Sequence, residues 1–354
     1  SLINKYGDLY SKEQELLIQN IIKQNSFDEI ESKLSALKKL KVLIIGETII
    51  DQYVFCEALG KSGKEPVLVM RDLETQEYLG GSLAISRHLT EFCDNVSLLS
   101  FLGEKNEYKE FIQKNIEENI SLNFLSKKNS PTILKRRFVD HIDKKKILGV
   151  YSINDSSLSE NEENDFIDAY DKLIENHDLV IVSDYGHGMI TPKIAKHLSK
   201  SNKFVSLNAQ VNAANIGTHN IKKYKDIDCL IINATELRHE MRQRDGDIEI
   251  MARTLKKMIN SKYISVTQGK KGAILIKNDN ITVTCPGFAV QVIDKIGSGD
   301  ALLALLSVCL YSNFDEDLSL LISSIAAAQS VETIGNSYPV SKVKLLKTIS
   351  HLLK

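Results

Sequence analysis

The sequence predicts an α/β protein with a mostly parallel central sheet covered by helices. From Lys41 onward, short β-branched runs alternate with longer amphipathic stretches, the pattern of strands joined by crossover helices. With 354 residues, 43% of them hydrophobic and 26% charged, the chain has an ordinary globular composition and can bury a large core. Its longest apolar run, Ala301 to Leu310, is too short to span a bilayer and reads as a buried helix.

The elements follow in order. Residues 1–40 lack the alternation; Lys12–Lys23 and Phe27–Lys38 read as two polar helices, so 1–40 is a helical arm or a linker and 41–354 the main domain. Central strands are expected at Val42–Ile45, Val96–Phe101, Leu179–Ser183, Phe204–Leu207, Cys229–Ile232, Ile264–Thr267 and Ala273–Ile276. Helices fall between them at Leu83–Phe92, Glu107–Glu118, Glu160–Glu175, Pro192–Ser199 and Ile248–Asn260. Three more, near Ser298–Tyr311, Leu318–Thr333 and Val340–Leu353, close the chain. Extended pieces at Tyr53–Leu59, Val67–Tyr78, Thr132–Val139 and Ile147–Ile153 are too polar for the central sheet. A small antiparallel sheet, spanning about 53–78 and 132–153 and lying over the active site, accounts for them.

Composition narrows the function. Forty-five basic against 46 acidic side chains leave a net charge of −1, which argues against nucleic acid or an anionic membrane as the main partner. Five scattered cysteines form no C-x-x-C pair, so buried thiols in a reducing cytoplasm are expected, with neither a disulfide framework nor a zinc site. Gly60-Lys61-Ser62 ends like a phosphate loop, but Phe55 stands where its first glycine is required.

The strongest chemical signal is Asp294-Lys-Ile-Gly297-Ser298-Gly299-Asp300, which opens an apolar helix. Glycines let the backbone approach a ligand, and the unpaired N–H groups of a first helical turn favour an anion. A carboxylate beside such a cradle can accept a hydroxyl proton, the combination phosphoryl transfer to an alcohol requires. The structural alternative is a glycine turn with Asp300 as helix N-cap. The segment resembles the D-T-x-G-A-G-D signature of ribokinase-like (phosphofructokinase-B type) carbohydrate kinases. That family implies a three-layer α/β/α sandwich with a β-sheet lid over the sugar, often used for dimer contact.

Other segments match the family in order. Gly46-Glu-Thr-Ile-Ile-Asp51 resembles its G-[DE]-x-x-x-D opening, where the aspartate holds sugar hydroxyls. Gly80-Gly81-Ser82 stands at its substrate loop. Asn233-Ala-Thr-Glu236 resembles N-x-x-E, which orders Mg²⁺ through water; as plain structure it is a capping box. Thr267-Gln-Gly269-Lys-Lys-Gly272 resembles the turn that borders the nucleotide, and Ala328 with Gly335 lies where the family flanks adenine. Asp294 joins this nucleotide-side group. Lys135 and Arg137 share one face of a strand and suit a phosphate or carboxylate; their surroundings resemble the heptose 7-phosphate kinase branch. Ser183-Asp184-Tyr-Gly-His187-Gly resembles a run of the same branch, with Asp184 a substrate or metal-network candidate.

The resemblance implies ATP, Mg²⁺ and a monovalent cation as cofactors, and a sugar or sugar phosphate as substrate. Asp300 would be the base, Gly297 to Gly299 the anion hole, and Glu236 the residue reaching Mg²⁺. A homodimer through the lid and a fused or partner nucleotidyltransferase complete the expected partners. Ser1-Leu-Ile-Asn4 is similar to the closing S-S-T-x-L-I of such nucleotidyltransferases. Three positions depart from the pattern: Ala84 replaces a sugar-binding asparagine, Asn208-Ala-Gln210 replaces D-P-K, and His187 replaces lysine. They leave open a kinase for another sugar or a nucleoside, or a binding module with impaired catalysis.

Overall fold

The computed structural model describes residues 11–212, 215–217, 220–278, 281–289 and 291–353. The segment Ser1-Leu-Ile-Asn4 lies outside the described residues. Nine strands form the main sheet: β1 (Lys41–Gly46), β4 (Asn95–Gly103), β5 (Ile120–Lys127), β8 (Leu179–Asp184), β9 (Phe204–Ala209), β10 (Cys229–Asn233), β11 (Tyr263–Thr267), β12 (Ala273–Asn278) and β13 (Ile281–Cys285). Their order is β13-β12-β11-β10-β9-β8-β1-β4-β5, parallel throughout except for β12 and β13 at one edge. The chain runs outward from β1 to β5, then returns to β8 and builds in the opposite direction. Such a reversal opens a crevice at the carboxyl ends of the strands.

Alternation along the strands feeds two cores. Val42 and Ile44 join one apolar cluster, Leu43 and Ile45 the other. The first is covered by α1 (Lys12–Gln24), α2 (Phe27–Ala36), α3 (Ser82–His88), α9 (Ser298–Tyr311), α10 (Glu316–Val331) and α11 (Lys342–Leu352). The second lies under α5 (Glu160–Ile174), α6 (Pro192–Leu198), α7 (Ala234–Met241) and α8 (Ile248–Ile259). A short α4 (Lys109–Asn115) leads into β5. The paired helices α1 and α2 start at serine capping boxes and bury Leu17, Ile18, Ile21, Ile30 and Leu34 in the first core.

The smaller sheet contains β2 (Thr48–Lys61), β3 (Leu68–Gly81), β6 (Ile133–Asp140) and β7 (Lys146–Ser152), in the order β3-β2-β6-β7. It is mixed, not antiparallel as the sequence reading has it: β2 and β6 run parallel. The cause is connectivity, because β3, β4 and β5 intervene between them and no hairpin can join the pair. The sequence reading also lacks β5 and β13. In β5 only Ile120 is buried, so it shows no continuous apolar run, and β13 alternates threonine with apolar residues. The helices around 83–92 and 107–118 are shorter than expected, at seven residues each.

Candidate active site

A cleft of about 360 Å³ opens at the carboxyl ends of β8, β9, β10 and β11, with the start of α9 as its floor. It brings together eleven of the residues singled out above: Asp51, Gly81, Lys135, Arg137, Asn233, Glu236, Thr267, Gly297, Ser298, Gly299 and Asp300. Asn208 and Gln210, at one of the departures from the family pattern, also line it.

The helix that forms the floor begins at Gly297, whose φ of +91° is a left-handed conformation that glycine tolerates best. Gly297 is therefore the N-cap and Asp300 the third helical residue, which overturns the reading of Asp300 as a cap. No side chain caps this helix, so its first-turn N–H groups face the cleft with the positive end of the helix dipole. Asp300 is only 6% exposed, and the Tyr185 hydroxyl donates to its Oδ1 at 2.8 Å. Burial pushes the Asp300 carboxyl up to about 7; Asp51 adds to the rise, while Tyr185 and the Lys135 ammonium oppose it. A carboxylate poised near neutrality suits a general base.

Across the cleft, Asp51 on β2 is ion-paired with Arg137 on β6, strands adjacent in the lid sheet. Gly80 serves this pair, since a Cβ there would sit 2.3 Å from Asp51 Oδ2. Its bareness makes room for the carboxylate, a role distinct from the ligand approach expected of it. Lys135 is buried, and its ammonium makes no hydrogen bond or ion pair among the described residues; it lies 5.5 Å from the Tyr185 ring centroid. Burial draws its pKa below the ordinary lysine value.

On the opposite wall, Asn233 and Glu236 form the capping box of α7 and also face the cleft. The Glu236 carboxylate accepts the N–H groups of Asn233 at 2.9 Å and Val211 at 3.2 Å, and burial pushes it up to about 7. Among the described residues no cluster of three His, Cys, Asp or Glu could cage a metal. A single cleft-facing carboxylate beside an amide instead fits Mg²⁺ held largely through water and phosphate. A second cavity of about 520 Å³ shares Asn233 and Thr267 with the first and continues past Gly269 to Arg238 and Lys271. Its position beyond the helix start and its basic rim suit a nucleotide.

The remaining expected residues lie outside the cleft. Asp184 is 1% exposed, and its carboxylate accepts the Tyr224 hydroxyl at 2.8 Å and the Lys223 ammonium at 2.6 Å, so it is engaged internally. Asp294 accepts Tyr53 at 2.6 Å and is paired with Lys146 of the lid. Although burial works against it, these donors hold Asp294 below the usual aspartate range. Gly272 packs on the Cys285 carbonyl, Gly335 on Tyr53 and Tyr78, and Ala328 lies within α10.

Two groups at this site carry no role in the sequence reading. Tyr185 sits inside a quoted motif, but its contact with Asp300 spans 115 positions and only folding reveals it. The Glu47 carboxylate is buried and accepts the backbone N–H groups of Tyr185 at 2.9 Å and His187 at 3.0 Å, fixing that loop. His187 itself is turned away to Asp155 at 2.6 Å.

Residues 39–343 match the pfkB family of carbohydrate kinases. The chain belongs to that family. The pfkB kinase is thus a phosphotransferase. It is 27% identical over 317 residues to bifunctional protein HldE of Campylobacter jejuni strain RM1221, covering 88% of this chain and 66% of the relative. A Haemophilus influenzae HldE (strain PittEE) is 26% identical over 324 residues, covering 88% and 64%. The chain thus spans just under two thirds of the length of these relatives. Among solved structures, ribokinase of Thermotoga maritima superposes with a TM-score of 0.66 at 17% identity, covering 88% of this chain and 99% of that one. Phosphofructokinase-2 of Escherichia coli, in complex with substrates and products, gives 0.67 at 14%, covering 89% and 100%. Arabidopsis thaliana ribokinase, complexed with ribose and ATP, gives 0.65 at 20%, covering 89% and 99%. These likenesses establish the ribokinase-like fold.

Proposed function

We propose that this kinase uses ATP with Mg²⁺ to phosphorylate a hydroxyl of a sugar phosphate, heptose 7-phosphate being the leading candidate. The observation that carries the reading is Asp300, buried at neutral-range acidity beside an uncapped glycine helix start. Asp51 orients sugar hydroxyls. Asp300 takes the proton of the acceptor hydroxyl as that oxygen bonds to the γ-phosphorus, and ADP leaves. Tyr185 holds the carboxylate in place, and the N–H groups of residues 297–299 face the charge on the transferring group. Asn233 and Glu236 would hold Mg²⁺ through water, where it would neutralise phosphate charge. The free ammonium of Lys135 supports an anionic group on the substrate, since Arg137 is already engaged by Asp51. The HldE relatives, named bifunctional, support the heptose assignment and a nucleotidyltransferase as a fused or partner protein.

A lid-mediated homodimer belongs to the same reading. Leu68, Leu73, Leu148 and Val150 of the lid strands are all exposed, and β7 is an open edge. Light scattering should give twice the chain mass, and Leu148→Asp should reduce it to one. No helix among the described residues is long and apolar enough to cross a membrane, and all five cysteines are free and buried; a cytoplasmic location accords with both.

The deciding experiment is ATP consumption with Mg²⁺ against sugars and their 1-, 6- and 7-phosphates, with Asp300→Asn as control. Turnover on one sugar phosphate, lost in the variant, supports the reading. Turnover only on a free sugar or a nucleoside replaces the substrate. Silence, with ATP or sugar phosphate still bound, replaces catalysis by binding and makes Asn208 and Gln210 the first residues to restore.

A further inference from the structure

One side chain built into the start of α9 has no part in the reaction as drawn. Asn336 lies in the loop after α10, is 2% exposed, and holds a left-handed φ of +56°. Asparagine enters that region more readily than most residues. Its carboxamide lies flat against Gly297: a Cβ on that glycine would fall 1.6 Å from Asn336 Oδ1 and 2.7 Å from Nδ2. Any larger residue at 297 would therefore displace Asn336 as well as strain the turn.

The loop is anchored from two sides. Ser330 donates its hydroxyl to Asn336 Oδ1 at 3.3 Å, and Arg87 donates to the Asn336 carbonyl at 3.1 Å. Arg87 is itself held by both oxygens of Glu117, at 2.9 and 3.0 Å. With so much fixing it, Asn336 still leaves Nδ2 buried with no hydrogen-bond partner of good geometry. The adjoining His88, whose Nδ1 accepts the Val340 N–H at 3.2 Å, leaves Nε2 in the same condition. Most buried amide donors have a partner, so this one calls for an explanation.

The groups facing this amide are few. Asp300 lies on one side, with Tyr185, Asp51 and Lys135 around its carboxylate; His88 and Arg87 lie on the other, on α3. The amide favours the ionised form of Asp300, in the same direction as Tyr185.

We propose that Asn336 is a positioning residue for the base, bracing Gly297 with its carboxamide and offering Asp300 a second donor besides the Tyr185 hydroxyl. The inference rests on the reading of Asp300 as the base. Asn336 touches neither sugar nor nucleotide in this role; it acts through the two groups that do.

Two variants separate positioning from simple packing. Asn336→Gly keeps access to the left-handed backbone and removes the carboxamide without adding charge; Asn336→Asp keeps the shape, but its new carboxylate raises Asp300 by repulsion alone, so it marks only the upper bound of the shift. With the sugar phosphate that turns over, kcat should fall about tenfold in Asn336→Gly while KM for ATP holds. The acidic limb of kcat/KM should move upward by about one pH unit in Asn336→Gly, which loses the amide without gaining a charge. Acidic limbs that coincide with the unaltered protein, with only Tm lowered, would overturn the proposal and leave a packing role.

A readout free of turnover covers failure of the kinase reading. The Asp300 carboxyl, raised from 3.8 to about 7, makes the fold lose stability as pH rises through that window, relative to Asp300→Asn. In Asn336→Gly, which adds no charge, the upper edge of the window should shift to higher pH. Such a shift without turnover on any sugar sustains the positioning role and sinks phosphorylation; an unshifted edge sinks the positioning role.

Discussion

Asp300→Asn removes the proposed proton acceptor but keeps the size and the Tyr185 contact. Its kcat should fall about a hundred- to ten-thousand-fold, with ATP affinity nearly unchanged in calorimetry. Unaltered turnover would remove Asp300 from the chemistry. The two perturbed groups also shape the pH profile. In the proposed mechanism Asp300 must be ionised, so kcat/KM should rise with pH through an apparent value near 7. The proposed anion contact needs a charged Lys135, and burial makes it lose its proton earlier than an ordinary lysine, so an alkaline limb should follow below the usual lysine range. Replacing Lys135 by Met should flatten that limb and raise KM for a phosphorylated sugar far more than for its unphosphorylated counterpart. Equal losses on both would argue against an anion contact. At this scale the sequence was legible where a motif concentrates chemistry in one turn, as at 294–300. It was silent on Tyr185 and Asn336, because their partners lie 115 and 39 residues away.

Among the elements, α9 carries the heaviest demand, since every residue from Asp300 to Leu310 is buried and its first turn must stay uncapped. Leu306→Ala, at a fully buried position, should cost about 2–5 kcal/mol in denaturant unfolding. A cost within measurement error would mean the helix can shift to fill the void, and turnover should then suffer instead. The apolar run that makes α9 so easy to read is the same property that lets it bury on all sides. Strand β5 is the converse case. Half-exposed at the sheet edge, it carries serine, asparagine and lysine, so its membership is decided by pairing with β4 and not by its own pattern. Strand direction in the lid was illegible for a related reason: it depends on how the chain returns, and no local residue encodes that.

For the whole molecule, the boundary drawn at Lys41 from the loss of periodicity does not coincide with the limit of the core. Ile18, Ile21, Ile30 and Leu34 pack with α10 and α11, and Lys33 joins Asn25 and Asp315. A chain starting at residue 39 should therefore have a lower Tm and bind more hydrophobic dye than one starting at residue 11. Equal Tm values would make the two helices an ornament of the fold.

The strand β1 passes into β2 with Glu47 as the sole residue between them, so the sheet that carries Asp51, Lys135 and Arg137 grows out of the sheet that supports Tyr185 and Asp300. On the proposed reading, the groups that would hold the sugar ride on one sheet, and the base and anion cradle ride on the other. A sugar phosphate bound as proposed would bridge the two sheets, as the Lys146–Asp294 pair already does. On that reading recognition and alignment are coupled: a sugar that fails to reach Lys135 would not merely bind weakly but would leave its hydroxyl short of Asp300. Selectivity among sugars should thus be written in kcat as much as in KM.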